Sequence, residues 1–234
     1  MRDAPEARAP VGGVPAGFFD VDGTLGSTNV VLAYMHFLRH DTTTFRRLAR
    51  TALLLPTLPY YAVVDMISRE RFIEVFHRKY ANVRQSELQA WAAEAGELFW
   101  RPRIFPEALR QIDWHKGKGH RVVLISGGLE PVLEPLVKVV EPDMLVAARP
   151  ETRDGRLTGR LIDGVLSGPK KAQAAHDVSE ALGVDMAQSY AYADSRADLE
   201  LLESVGNPVA VNPDRRLRGE SLRRGWPIRA WGHA

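Results

Sequence analysis

The chain has 234 residues, enough for one large domain or for a core with a smaller insert. Its 45% hydrophobic and 26% charged content fits a globular chain. The net charge of +2 gives no ground for nucleic-acid binding, and the lack of cysteine excludes disulfides and thiolate chemistry. Met1 to Pro15 is rich in Ala, Pro, Gly and charge and has no apolar h-region, so it reads as a disordered tail.

Phe18-Phe19-Asp20-Val21-Asp22-Gly23-Thr24-Leu25 follows, an apolar run that ends in two acids and a glycine. This is the pattern of a short buried strand reaching a loop. If the chain stays extended through Val21, Asp20 and Asp22 project to the same side. Two adjacent carboxylates repel and need a cation, a shared proton or opposite roles. Mg2+ is the obvious cation, because it prefers oxygen ligands. A bare pair of this kind is also compatible with a strand ending in a polar turn.

From about Asn29 to Trp100 the periodicity is helical. Val30, Val31, Tyr34, Phe37 and Leu38 share a face, and Thr44 to Val64 starts basic and turns apolar, broken by Pro56 and Pro59. Ser68 can cap the next helix, with Phe72, Val75, Phe76 and Tyr80 on one side, and Ser86 to Trp100 forms another. Pro102 and Pro106 mark a boundary.

Helices and strands then alternate. A helix over Pro106–His115 precedes a buried strand, Arg121–Ile125, that runs into Ser126-Gly127-Gly128. A helix from Leu129 to Val139, a strand at Met144–Ala148, a hairpin turning at Asp154-Gly155 and a helix over Pro169–Leu182 come next. A strand over Ser189–Ala193 ends at Asp194, a helix covers Ala197–Val205, and Pro208–Val211 is another strand before a basic C-terminal helix. Such alternation gives an α/β fold, a Rossmann-like parallel sheet flanked by helices, here with an inserted all-helical segment.

In such sheets ligands sit beyond the carboxyl ends of the strands. Asp20/Asp22, Ser126-Gly127-Gly128 and Asp194-Ser195 with Asp198 fall there, and Lys170-Lys171 opens a helix behind a glycine. Carboxylates for a metal, a hydroxyl and amides for an oxyanion, and an ammonium are the parts of a phosphoryl-transfer site. Taken singly, each has a plainer reading: a turn, a solvated lysine pair, a helix cap.

Together these motifs resemble the haloacid dehalogenase superfamily. Phe19-Asp20-Val21-Asp22-Gly23-Thr24-Leu25 is similar to its first motif, Ser126-Gly127 to its second, the lysine pair to its third, and Asp194 with Asp198 to its fourth. The helices after the first motif resemble the small cap of the phosphoserine-phosphatase-like branch. The resemblance implies a tail over 1–15, a core over 16–27 and 104–234, and a helical cap over 28–103. It also implies a Mg2+-dependent phosphatase, a phosphoric monoester hydrolase, with Asp20 as nucleophile and Asp22 as acid and base. Asp20, the Asp22 carbonyl, Asp194 and Asp198 would serve the metal, Ser126 and Gly127 would hold phosphate, and a lysine would neutralise it. Lys171 fits the branch's spacing, with Lys170 its competitor, since helix neighbours point about 100° apart. Ala193 stands where many relatives carry Gly.

Phosphoserine phosphatases place a glutamate for the substrate ammonium where this chain has Asn29, whose amide is neutral. Arg69, Arg71 and Arg78 are the candidates for a cap arginine. The expected substrate is therefore a small organic phosphate monoester, with Asn29 among the substrate-contacting residues. The expected location is cytoplasmic. The apolar, proline-kinked stretch 53–64 raises a peripheral membrane contact and a membrane-associated lipid-phosphate phosphatase, although packing among the cap's own helices and against the core is the favoured explanation. Arg215, Arg216, Arg218, Arg223 and Arg224 read as a solvated helix face. A non-catalytic protein that reuses the fold is the remaining alternative. A dinucleotide-dependent oxidoreductase is excluded by the missing G-x-G-x-x-G after the first strand.

Overall fold

The computed structural model describes residues 13–40 and 44–232. Six parallel strands form the sheet: β1 (Ala16–Phe19), β2 (Arg121–Leu129), β3 (Met144–Ala148), β6 (Tyr190–Ala193), β7 (Asn207–Val211) and β8 (Ile228–Arg229). Their order is β3-β2-β1-β6-β7-β8. The order reverses at β1, so the crevice beyond the ends of β1, β2 and β6 is the topological switch point where α/β sheets bind ligands. A separate antiparallel pair, β4 (Pro150–Arg153) and β5 (Arg156–Leu161), turns at Asp154-Gly155, both with positive φ.

Alternation along the strands builds two cores. Phe18, Val123, Ile125, Ala191 and Ala210 face one side, against α8 (Pro169–Leu182), α9 (Leu199–Glu203) and α10 (Arg215–Arg224). Phe19, Val122, Leu124, Tyr192 and Val211 face the other, where α6 (Pro106–Gly117) and α7 (Glu130–Val140) pack. Burying one such side chain contributes about 1.5–3 kcal/mol, so a strand this short is held mainly by its two faces.

Between β1 and β2 lie α1 (Val30–His40), α2 (Thr44–Leu54), α3 (Leu58–Ile67), α4 (Arg69–His77) and α5 (Gln85–Ala95). Pro56 and Pro59 break α2 from α3 through a 3-10 turn, as their missing N–H groups require. Ser68 caps α4, its side chain accepting from the Arg71 amide at 3.2 Å. The second core continues into these helices without interruption, through Tyr34, Phe37, Phe76, Trp91 and Phe99. The β4–β5 hairpin also docks there, Gln85 N–H donating to Gly155 O and Leu157 N–H to Val83 O, both at 2.9 Å.

Several boundaries differ from expectation. Residues 1–12 of the expected tail lie outside the described residues, but Val14 already bridges to Val184, and Arg121 N–H donates to Pro15 O at 2.9 Å. α5 stops at Ala95 and a π-helical turn covers Gly96–Trp100; a Cβ on Gly96 would lie 3.3 Å from Pro135 O. β2 runs on through Ser126-Gly127-Gly128 because Leu129 still pairs with Ala148 across a register shift. β8 carries no pattern of its own and exists by pairing with β7.

Candidate active site

β1 ends at Phe19, and the Asp20 amide donates to Tyr192 O at 3.0 Å. The extended chain expected through Val21 gives way to a tight loop, in which the Leu25 amide donates back to Val21 O at 2.9 Å. Both acids nevertheless line one pocket, together with Arg69, Ile73, Ser126, Gly127, Lys171, Asp194 and Asp198. Gly23 makes the loop possible. Its φ is +83°, and a Cβ there would sit 2.0 Å from Asp194 Oδ2. The first loop and the loop after β6 thus approach closely enough to exclude any side chain between them.

The charges converge. Lys171, 3% exposed in the first turn of α8, donates to Asp20 Oδ1 at 2.6 Å and to Asp198 Oδ1 at 2.8 Å. Lys170, one residue earlier, turns outward and donates to Asp163 O at 3.0 Å. Burial alone would pull the Lys171 ammonium down, but Asp198 and Asp20 hold it above the ordinary lysine range. Asp20, Asp194 and Asp198 each offer an oxygen, all within 4.8 Å of one another. Burial, with Asp20 and Asp198 nearby, pushes Asp194 well above the usual carboxylate range. Burial likewise raises Asp198 to about 6, against the pull of Lys171. Three acids and one ammonium leave an excess of negative charge in a buried place. Hard oxygen donors at that spacing are a donor set that fits Mg2+.

Asp22 stands apart from that cluster. Its Oδ1 accepts from the Thr28 hydroxyl at 2.9 Å, and burial together with Asp20 raises its pKa to about 6. Such a group can hold a proton and release it near neutral pH. Ser126 is buried, with its Oγ accepting from the Gly128 amide at 3.1 Å. At Gly127 a Cβ would lie 3.0 Å from Ile73 Cδ1 and Leu166 O, so the helical segment closes directly over this backbone.

Of the three arginine candidates, Arg69 lines the pocket, whereas Arg71 and Arg78 are exposed. Arg69 pairs with Asp65 through both carboxylate oxygens at 3.1 Å and lies 5.4 Å from the Phe72 ring centre. Asn29 is not brought to the pocket wall; its Oδ1 accepts from the Leu32 amide at 2.9 Å, capping α1, and Val30 takes the lining position. His77 carried no signal in the sequence. It is buried, neither ring nitrogen has a hydrogen-bond partner, and burial lowers its pKa to about 4, so it is neutral at pH 7. With Tyr80 and Trp100 it lines a small cavity that has Asp22 on its wall.

The description haloacid dehalogenase-like hydrolase matches residues 18–203, a span that holds every one of these site groups. The chain belongs to that family. The expectation of a hydrolase on a parallel, helix-flanked sheet is borne out by the match and the sheet. An inhibition of morphological differentiation protein from Streptomyces azureus is 36% identical over 217 residues, 91% of this chain and 77% of that protein. A probable phosphatase of Mycobacterium tuberculosis is 29% identical, covering 96% of this chain and 76% of its own length. A phosphoserine phosphatase of the same organism is also 29% identical, over 96% and 73%. Among solved structures, a protein of unknown function from Bordetella pertussis superposes with a TM-score of 0.75 at 26% identity, over 92% of this chain and 98% of that one. An apo phosphoserine phosphatase superposes at 0.65 over 93% of each chain; at 16% identity it speaks for the fold alone.

Proposed function

We propose that this hydrolase is a Mg2+-dependent phosphatase that cleaves a small organic phosphate monoester through a phosphoryl group carried on Asp20. The observation that carries this reading is the buried Lys171 shared between Asp20 and Asp198, with the separate, proton-holding Asp22 on the same pocket. Asp20 attacks phosphorus as its ester oxygen leaves, and Asp22 gives its proton to that leaving oxygen. The Asp22 carboxylate then takes a proton from water, the water oxygen bonds to phosphorus, and the bond to Asp20 breaks to release phosphate. Ser126 and the Gly127 amide hold phosphate oxygens, and Lys171 offsets their charge. Asp20, Asp194, Asp198 and the Asp22 carbonyl would hold Mg2+, which would supply further charge neutralisation. The printed names of two relatives, a probable phosphatase and a phosphoserine phosphatase, support the same reading.

The helical segment acts as the cap and selects the leaving group. Among the described lining residues, the carboxylates are Asp20, Asp22, Asp194 and Asp198, all assigned to chemistry, so none is left to pair with a substrate ammonium. Arg69 already has its counter-ion in Asp65. These features favour a monoester without an amino group over phosphoserine, with neutral His77 and Tyr80 on the leaving-group side of Asp22.

Phosphate release from a panel of phosphoserine, sugar phosphates, glycerol phosphate, nucleotides and lysophosphatidic acid tests this, with and without Mg2+ and with Asp20→Asn as the blank. Mg2+-dependent release missing from the blank is the expected result. No release from any ester, together with no Mg2+-dependent binding of beryllofluoride by the folded protein, overturns it.

A further inference from the structure

Of the exposed large apolar side chains among the described residues, an unusual share falls on α2 and α3. Every exposed residue from Thr51 to Ile67 is an alanine, a proline or one of Leu53, Leu55, Tyr60, Val63, Met66 and Ile67. Leu53, Met66 and Ile67 are 70%, 76% and 75% exposed. Leu54 and Tyr61 turn inward instead, Tyr61 packing edge-on against Phe72 and Phe76 at 6.1 and 5.2 Å. The segment is thus anchored by Leu54 and Tyr61, with Leu58 and Val64 half-buried against the core, and presents the remaining apolar side chains to solvent, where scattered single apolar residues would be ordinary but a clustered set is not.

We infer that this face docks into the interfacial zone of an anionic lipid bilayer. Charge identifies the occupant. Residues 42–64 contain no acid, and Arg46, Arg47 and Arg50 precede the apolar face in sequence along α2. A basic stretch of sequence that runs straight into an apolar, kinked helical pair matches the headgroup and acyl zones of such a membrane, with the exposed Tyr60 suited to the boundary between them. A second copy of the chain fits less well, because an isologous contact would bring two copies of this basic stretch to one interface, and residues 42–64 offer no acid to pair with it. The helices lie in the surface and do not cross it: no described helix is long and apolar enough to span a bilayer, and prolines separate α2 from α3. One residue, Ser68, separates α3 from Arg69 on the wall of the active-site pocket, so a docked cap sets the pocket close to the interface.

Co-sedimentation of the full chain with vesicles of equal parts phosphatidylglycerol and phosphatidylcholine, at low salt, tests the inference. It requires no catalysis, so its outcome is separate from that of the Asp20→Asn comparison. Sedimentation with these vesicles is expected to weaken about tenfold or more in Leu53→Ser/Val63→Ser/Met66→Ser, whose side chains leave the core untouched, and to weaken in Arg46→Gln/Arg47→Gln/Arg50→Gln. Circular dichroism and turnover of p-nitrophenyl phosphate should stay unchanged in the serine variant. Absence of sedimentation, or sedimentation indifferent to the serine substitutions, overturns the inference. So does a light-scattering mass twice that of the chain which those substitutions halve, because a second copy would then cover the face.

Discussion

The two walls of the active-site pocket are built differently. On the sheet side, Asp20, Lys171 and Asp198 are buried and locked to one another by bonds of 2.6 and 2.8 Å. On the helical side, Arg69 is tied to Asp65, a neighbour on its own stretch of chain, and behind it His77, in the small cavity that shares Asp22, is tied to nothing. A reacting centre must be held in one arrangement before substrate arrives, because a misplaced charge forfeits most of its effect. A recognition surface can keep its polar groups unspent until the ligand supplies partners. On the proposed reading, the difference separates the part of the pocket that would fix the chemistry from the part that would select the substrate.

Lys171→Met against Lys170→Met is the sharpest test of the sheet wall. Removing Lys171 leaves Asp20 and Asp198 buried without their cation, and breaking such a pair costs about 3–5 kcal/mol. We expect kcat to fall by about a thousandfold and Tm to drop clearly, as losing a charge-stabilising group in a dry site implies. The exposed Lys170 should change stability by less than about 0.5 kcal/mol. Equal effects from both would mean that this wall is not pre-assembled.

Gly23→Ala comes next. The new methyl group meets Asp194 Oδ2 and the backbone sits at positive φ, so the loop or the carboxylate must move. A loss of about a hundredfold in kcat/KM is expected, in keeping with an ångström-scale misplacement. The apparent affinity for Mg2+, read by titrating activity, should weaken in parallel. An unchanged affinity would separate Asp194 from the metal.

The pH dependence of stability concerns Asp22, whose pKa rises from 3.8 to about 6 on folding. A carboxyl group raised in this way binds its proton more tightly in the folded state. Its contribution is present in full below pH 3.8 and is lost as pH rises through about 6. For the metal-free protein this is on the order of 2–3 kcal/mol across that window. Thermal melts in chelator should therefore fall between pH 4 and 6 by more in wild type than in Asp22→Asn. Identical profiles would remove Asp22 as a proton-holding group.

The smallest effect is expected on the helical wall. In His77→Leu the unpartnered ring disappears, so the fold should be retained or gain about 1 kcal/mol. kcat with p-nitrophenyl phosphate should change little, while the ranking of esters with and without a hydroxyl on the leaving group should shift. An unaltered ranking would reduce His77 to a packing residue.

Asp20, Asp22, Ser126, Lys171, Asp194 and Asp198 were all legible because each sits at a strand end or a helix start that local patterning marks. The family resemblance favours Lys171 but leaves Lys170 a competitor, and only the bonds to Asp20 and Asp198 separate the two. Asn29 shows the limit of position counting: the residue is at the expected place in the chain, but its carboxamide closes the first turn of α1. Arg69 could not be told from Arg71 and Arg78 until the placement of α4 and of the turn after it was known. His77 carried no signal, since a lone histidine on an apolar face is ordinary until its nitrogens are found without partners.

The sequence by itself determined the alternating strands and helices, the insert after the first strand and the candidate polar groups at the strand ends. Local periodicity and turn chemistry act over a few residues and need no distant partner. The tertiary structure alone decided which lysine meets Asp20, why residue 23 must lack a side chain, and which face of Thr51–Ile67 is left uncovered. Those outcomes depend on how β1, β6, α3, α4 and α8 are set against one another, and that is fixed by packing across distant parts of the chain.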